Sequence, residues 1–139
     1  MGAKEAIETK AKGIKRRATV IYRRDEHILF VRKRNAKWNL PGGRVESHET
    51  PLQAALREMS EETGLTFEEL AFVSQFTEDN VIHFLFEAPS ALTQKPRPCN
   101  EIEACRWFSA KDVTKRRVRG PIRALLKQCG NNRPELSYN

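Results

Sequence analysis

Cysteine is scarce here and poorly arranged for chemistry. Cys99, Cys105 and Cys129 are odd in number and show no CxxC spacing. That speaks against a disulfide framework or a cysteine zinc site, and makes a reducing cytoplasm the expected compartment. Isolated thiols of this kind behave as small hydrophobes. No apolar run approaches the roughly 20 residues of a membrane span, and the N-terminus lacks the apolar core of a secretory signal. No membrane partner is therefore expected. Internal repeats and low-complexity blocks are also missing. What remains is a globular composition, 39% hydrophobic and 31% charged over 139 residues, enough for one domain with a buried core.

Acidic residues are few at both ends of the chain. Residues 1–17 carry six Lys/Arg against two Glu, and residues 111–139 carry eight against two acids. The stretch 18–110 holds eleven basic and fourteen acidic residues, so the net charge of +7 is concentrated at the ends. Basic ends can steer an anionic ligand, and they also serve solubility. The run Lys115-Arg116-Arg117-Val118-Arg119 leaves nucleic acid open as a partner, and a homodimer also stays open.

The layout expected is a basic leader over 1–16, one domain over 17–128 and a polar tail over 129–139. Arg17 to Arg23 and His27 to Lys33 read as strands around an Arg24-Asp25-Glu26 turn. Leu70 to Thr77 and Val81 to Glu87 form a second pair around Glu78-Asp79-Asn80. The stretch Ala88 to Cys99 contains three prolines and reads as a surface loop. Ile102 to Phe108 is a last strand, Ser109 caps a short turn, and Pro121 to Gln128 is a final helix. Strands mixed with two main helices indicate an α/β or α+β domain.

The densest signal lies between Gly43 and Leu65, directly behind a Pro41-Gly42-Gly43 turn. Thr50 is a candidate N-cap, Pro51 suits the first helical position, and Gln53 completes a capping box. Gly64 suits the C-terminal cap. Leu52, Ala55, Leu56 and Met59 follow the spacing of a buried stripe. At about 100° per residue, Glu58, Glu61 and Glu62 fall within roughly a 100° arc away from that stripe. Carboxylates so crowded repel one another. A hard divalent cation such as Mg²⁺ is the economical partner, and Mg²⁺ commonly works with phosphates. Taken alone, a Glu-rich helix is usually a solvated face; the spacing, turn and caps together favour a metal site.

With Gly43, Glu49, Arg57-Glu58-Met59, Glu61-Glu62 and Gly64-Leu65 in register, the stretch resembles the signature of the Nudix hydrolases at every specified position. The order of elements over roughly residues 17–128 is similar as well. The resemblance implies an α/β fold, an α/β/α sandwich with a mixed central sheet. It implies hydrolysis of a nucleoside diphosphate derivative with Mg²⁺ or Mn²⁺. By position Glu58, Glu61 and Glu62 look like metal ligands, the carbonyl of Gly42 a further one, and Arg57 and Glu49 supporting residues. Elementary chemistry agrees: metal ions neutralise a diphosphate bridge and lower the pKa of bound water. Arg57, always charged, can grip a carboxylate in bidentate fashion, with Glu49 the nearest candidate.

The general base is expected at Glu101, six residues before Trp107, where several Nudix enzymes carry an acidic residue. Glu103, on the same strand face, and a box glutamate such as Glu61 are the alternatives. Arg32 and Arg34 alternate on one strand face and are candidate phosphate contacts, or else solvated charges. Trp38, Phe76 and Phe84 are candidates to stack on a base, or else core. His83 reads as structural. Features that mark ADP-ribose, diadenosine polyphosphate, NADH and coenzyme A Nudix enzymes are missing. The chain looks most like MutT-type nucleoside triphosphate pyrophosphohydrolases. Nucleotide sugars, dinucleoside polyphosphates and RNA 5′ ends are alternative substrates, and a non-catalytic ligand or RNA sensor is the alternative of another class.

Overall fold

The structure is a computed structural model that describes residues 14–89 and 94–131, with side chains as far as Lys127. Strand β1 (Lys15–Ile21) is followed by the short β2 (Arg23–Arg24), β3 (His27–Lys33) and β4 (Gly42–Arg44). Helix α1 (Pro51–Thr63) leads into β5 (Ala71–Glu78), β6 (Val81–Glu87) and β7 (Ile102–Phe108). Helices α2 (Ala110–Lys115) and α3 (Gly120–Asn131) close the described chain. The first strand begins earlier than the sequence reading placed it. Lys15 and Arg16, expected in the leader, belong to β1. The final helix likewise runs past Gln128 to Asn131. Residues 1–13 and 132–139, where most of the expected leader and tail fall, lie outside the described residues.

The strands pair as two hydrogen-bonded sheets rather than one. Four strands run in the order β4-β1-β6-β5, and three in the order β2-β3-β7. The larger sheet is mixed: β1 is parallel to β6, while β4–β1 and β5–β6 are antiparallel. Tyr22 interrupts the first strand, so β3 pairs with β2 and β7 instead of extending the β1 ladder. Two hairpins turn on adjacent residues with positive φ, Asp25-Glu26 and Asp79-Asn80. That is the turn whose twist matches the flanking strands.

Side-chain alternation sends neighbouring residues to opposite faces, and both faces are buried. Ala18, Val20, Leu29 and Phe86 join Ala54, Ala55 and Met59 of α1 in one core. Ile21, Phe30, Leu85 and Phe108 join Val113, Val118, Ile122 and Leu125 in the other. Helix α1 thus covers one side and the C-terminal helices the other, an α/β/α arrangement. Thr50 and Gln53 form the reciprocal capping box, and Gly64 closes the helix at φ 74°. Cys99 and Cys105 are free thiols, and burial pushes the Cys105 thiol up to about 11. Among the described residues no helix is long and apolar enough to cross a membrane.

Met59 is fully buried between α1 and the sheet. Met59→Ala should lower stability by about 2–5 kcal/mol. Thr50→Ala, which removes only the cap, should cost about 1 kcal/mol. Urea midpoints of the two variants check both the sizes and their order.

Candidate active site

Antiparallel pairing of β1 with β4 sets Thr19 opposite Gly42 and Ala18 opposite Gly43. Both glycines are required by what surrounds them. A Cβ on Gly42, whose φ is 152°, would lie 2.2 Å from the Ala18 carbonyl oxygen. One on Gly43 would lie 2.2 Å from Glu58 Oε2. Without a side chain at Gly42 β4 can lie close against β1, and without one at Gly43 the Glu58 carboxylate of α1 rests directly on the β4 backbone. The Gly42 N–H donates to Glu62 Oε1 at 3.0 Å.

The three box carboxylates do not share one solvated face, as the helical projection suggested. Glu61 is exposed, Glu58 is partly buried, and Glu62 is only 6% exposed. Burial pushes the Glu62 carboxyl up to about 7, against the Gly42 N–H and the charge of Arg17, which favour ionisation. Burial also raises Glu58, with Arg57 opposing it.

Arg57 joins these groups. Its Nη2 donates to Glu49 Oε1 at 2.9 Å while its Nε donates to Glu49 Oε2, a bidentate pair. Its Nη1 donates to Glu58 Oε2 at 3.1 Å and to Glu61 Oε1 at 3.2 Å. Its Nη2 also donates to the Arg44 carbonyl at 3.1 Å, tying the helix to β4. The hydrogen bonds from Arg57 hold the Glu49 carboxyl down at about 2.

The proline-rich stretch does more than pass over the surface. Its segment from Gln94 to Cys99, with Asn100 behind it, straps the end of α1, where helical carbonyls lack intrahelical partners. The N–H groups of Arg97 and Cys99 donate to the Thr63 and Glu62 carbonyls at 2.9 and 3.1 Å. Asn100 Nδ2 donates to the Glu61 carbonyl at 2.7 Å. Asn100 has a φ of 54°, a conformation that asparagine tolerates better than most residues. Glu101 follows in the turn before β7, exposed, between Asn100 on the helix end and Ile102 in the cleft wall. Glu103 is turned elsewhere and pairs with Arg32 at 3.5 Å.

Beside Glu62 and Gly42 opens a cleft of about 330 Å³ whose wall includes Arg17, Lys33, Lys37 and Arg119. The ion pairs among the described residues join Arg23 to Glu87, Arg32 to Glu103 and Arg57 to its three glutamates. None uses these four cations. The cleft cations differ from those the sequence reading chose. A bulge between Arg32 and Lys33 breaks the alternation, β3 ends at Lys33, and Arg34 lies in the following turn. Lys33 lines the cleft instead, while Arg32 lies over the Trp38 ring at 5.1 Å. Trp38 packs edge-on to Phe108 within the second core. Phe76 stacks flat on His83, and Phe84 packs against the first core. Arg17 stands in no local motif, and Arg119 only in the basic run Lys115-Arg116-Arg117-Val118-Arg119, which does not point to the cleft. Arg119 arrives because the chain at Val118 bridges to Trp38.

As the side chains stand, no three His, Cys, Asp or Glu among the described residues gather around a common metal position. Arg57 draws Glu58 and Glu61 to itself. The donor set nonetheless fits a hard cation. Glu58 and Glu62 are hard oxygen donors whose charge is disfavoured by burial, Glu58 packed on Gly43 and Glu62 held by the Gly42 N–H beside the cleft.

Gly43→Ala should leave the fold intact, because the crowded neighbour is a side-chain end, yet push Glu58 aside. Activity should fall on the order of 10²-fold with a melting temperature close to wild type. Glu62 gives a pH test in chelator. Its folded pKa is raised, so stability is lost as pH rises from the ordinary glutamate range through about 7. Glu62→Gln keeps an acceptor for Gly42 and should be the more stable chain at pH 8, with the difference vanishing near pH 4. Urea midpoints at the two pH values check this.

The NUDIX domain profile matches residues 14–129. Phosphatase NudJ of Shigella boydii serotype 4 (strain Sb227) is 30% identical over 122 residues, covering 81% of this chain and 79% of that protein. A MutT-like protein of Streptomyces ambofaciens is 35% identical over 103 residues, 71% of this chain and 66% of the other. A Nudix hydrolase family structure from Chromobacterium violaceum superposes with a TM-score of 0.78 at 30% identity, over 90% of this chain and 82% of that one. A MutT Nudix hydrolase from Burkholderia pseudomallei gives 0.69 at 26% identity, over 82% of this chain and 96% of that one. This chain belongs to the Nudix hydrolase family.

Proposed function

We propose that this chain is a Mg²⁺-dependent nucleoside triphosphate pyrophosphohydrolase that releases a nucleoside monophosphate and pyrophosphate. Family membership makes it a hydrolase of pyrophosphate bonds acting on nucleotide derivatives, and such enzymes generally use divalent metal ions. The observation that carries the finer reading is the cleft itself. A buried carboxylate, Glu62, stands on one side, and Arg17, Lys33, Lys37 and Arg119 contribute unpaired positive charge to the same wall. A triphosphate needs both, since its oxygens repel carboxylates unless cations lie between and around them. The relatives named MutT agree with the MutT-type resemblance of the sequence, on which the choice of a nucleoside triphosphate rests.

In this reading Glu58, Glu61 and Glu62 hold the metal together with the Gly42 carbonyl, and Arg57 with Glu49 positions them. A divalent ion bound there supplies positive charge opposite the phosphate oxygens and makes water a stronger acid. Arg17, Lys33, Lys37 and Arg119 orient the phosphate chain through the cleft. Glu101 accepts the proton of the attacking water; its exposure, next in sequence to Ile102 of the cleft wall, supports this choice. Glu103 is occupied by Arg32.

Purified protein with Mg²⁺ should release pyrophosphate from nucleoside triphosphates faster than it cleaves nucleotide sugars. Equal or better turnover of the sugars would overturn the substrate assignment. Glu61→Gln should lower kcat on the order of 10²-fold without unfolding the chain. Glu101→Gln should lower kcat more than Glu103→Gln. The opposite order would move the base away from Glu101.

A further inference from the structure

A second groove, of about 340 Å³, adjoins the active-site cleft on the other side of Arg17 and Arg119, and both side chains line both spaces. Lys15, Arg16 and Arg44 extend the positive wall. Five cations thus face two acids, Glu78 and Asp79, in one small volume. None of the five takes part in an ion pair among the described residues. Like charges held this close repel, and elsewhere the fold relieves such repulsion by pairing, as Arg23 does with Glu87. Here Glu78 and Asp79 form no ion pair with the five, although Arg17 is drawn far enough inside for burial to lower its pKa. A solvated surface accounts for Lys15 and Arg44, which are exposed. It does not account for an unpaired inner arginine shared with a catalytic cleft.

We infer that the groove is a second phosphate subsite, which takes a phosphate group of the substrate beyond the diphosphate being cleaved. The reacting diphosphate lies by Glu62, Arg17 and Arg119 straddle the chain, and Lys15, Arg16 and Arg44 meet the next phosphate. This rests on the reading that the Glu62 cleft holds the reacting bond. Two sources carry the required chemistry: the first phosphodiesters of a 5′-triphosphorylated RNA strand, and the far phosphates of a dinucleoside polyphosphate. A free nucleoside triphosphate does not reach the groove.

The test pairs kinetics with binding. Lys15→Gln/Arg16→Gln should raise KM about tenfold for a 5′-triphosphate hexaribonucleotide or for diadenosine tetraphosphate. Neither kcat nor the KM for GTP should change by more than twofold. Whichever extended substrate shows the larger effect identifies the source. A fluorescent hexaribonucleotide with a 5′-monophosphate, titrated without metal, reads the groove independently of hydrolysis. Loss of two phosphate contacts should reduce the slope of log affinity against log salt by roughly 1.4. Arg44→Gln, which alters an exposed side chain, should act in the same direction if the double variant folds poorly. Equal KM changes for GTP and the extended substrates would overturn the subsite, as would unaltered extended-substrate KM together with unaltered oligonucleotide binding. Loss of hydrolysis for every substrate with a normal binding difference would instead overturn the hydrolase assignment and leave the groove standing.

Discussion

The guanidinium of Arg57 is the constraint on which the site depends. Glu49, Glu58 and Glu61 approach from a loop and from two turns of one helix, and would drive one another apart without it. Arg57 meets all three and the Arg44 carbonyl as well, so a single planar cation fixes the helix, the preceding loop and β4 together. Lysine, with its point charge, could not match that fork. The bidentate pair also keeps Glu49 ionised far below neutral pH. The framework of the site therefore stays charged at working pH even where burial disfavours charge on its neighbours.

Charge is divided within a short distance. Carboxylates come from α1, and the cations facing them come from β1, β3, the turn after β3 and the segment before α3. The junction is the β1–β4 pairing, which sets Arg17 opposite Arg44 and Thr19 opposite Gly42. Arg17 thereby adjoins Glu62 and Glu58 closely enough to feel both without forming an ion pair. An attractive field left unspent inside the protein remains available to a ligand. The strap from Gln94 to Asn100 serves the same end mechanically. It satisfies the carbonyls at the end of α1 that would otherwise fray, and those belong to Glu61, Glu62 and Thr63.

Local features were legible because their causes are local. The capping box at Thr50, the glycine stop at Gly64, the hairpin turns at Asp25-Glu26 and Asp79-Asn80, and the box spacing each depend on residues a few positions apart. The helical projection succeeded in grouping the glutamates and failed on their exposure, since only packing against β4 reveals that Glu62 is covered. Alternation along β3 pointed to Arg32 and Arg34. One bulge exchanged Arg32 for Lys33, and a bulge leaves no mark in a run of basic residues. Trp38 reads from the sequence as a stacking candidate or else core, and the bridge to Val118 sets it, partly buried, against the second core.

The sequence alone determined the family, the helix that carries the carboxylates and the order of the elements around it. These rest on short-range spacing and capping, which a linear pattern records in full. Only the tertiary structure decided which cations confront that helix. Arg17, Lys33, Lys37 and Arg119 are spread from position 17 to position 119 and share no period or motif. Sheet pairing and the packing of two cores bring them to one wall, and no local preference encodes that meeting.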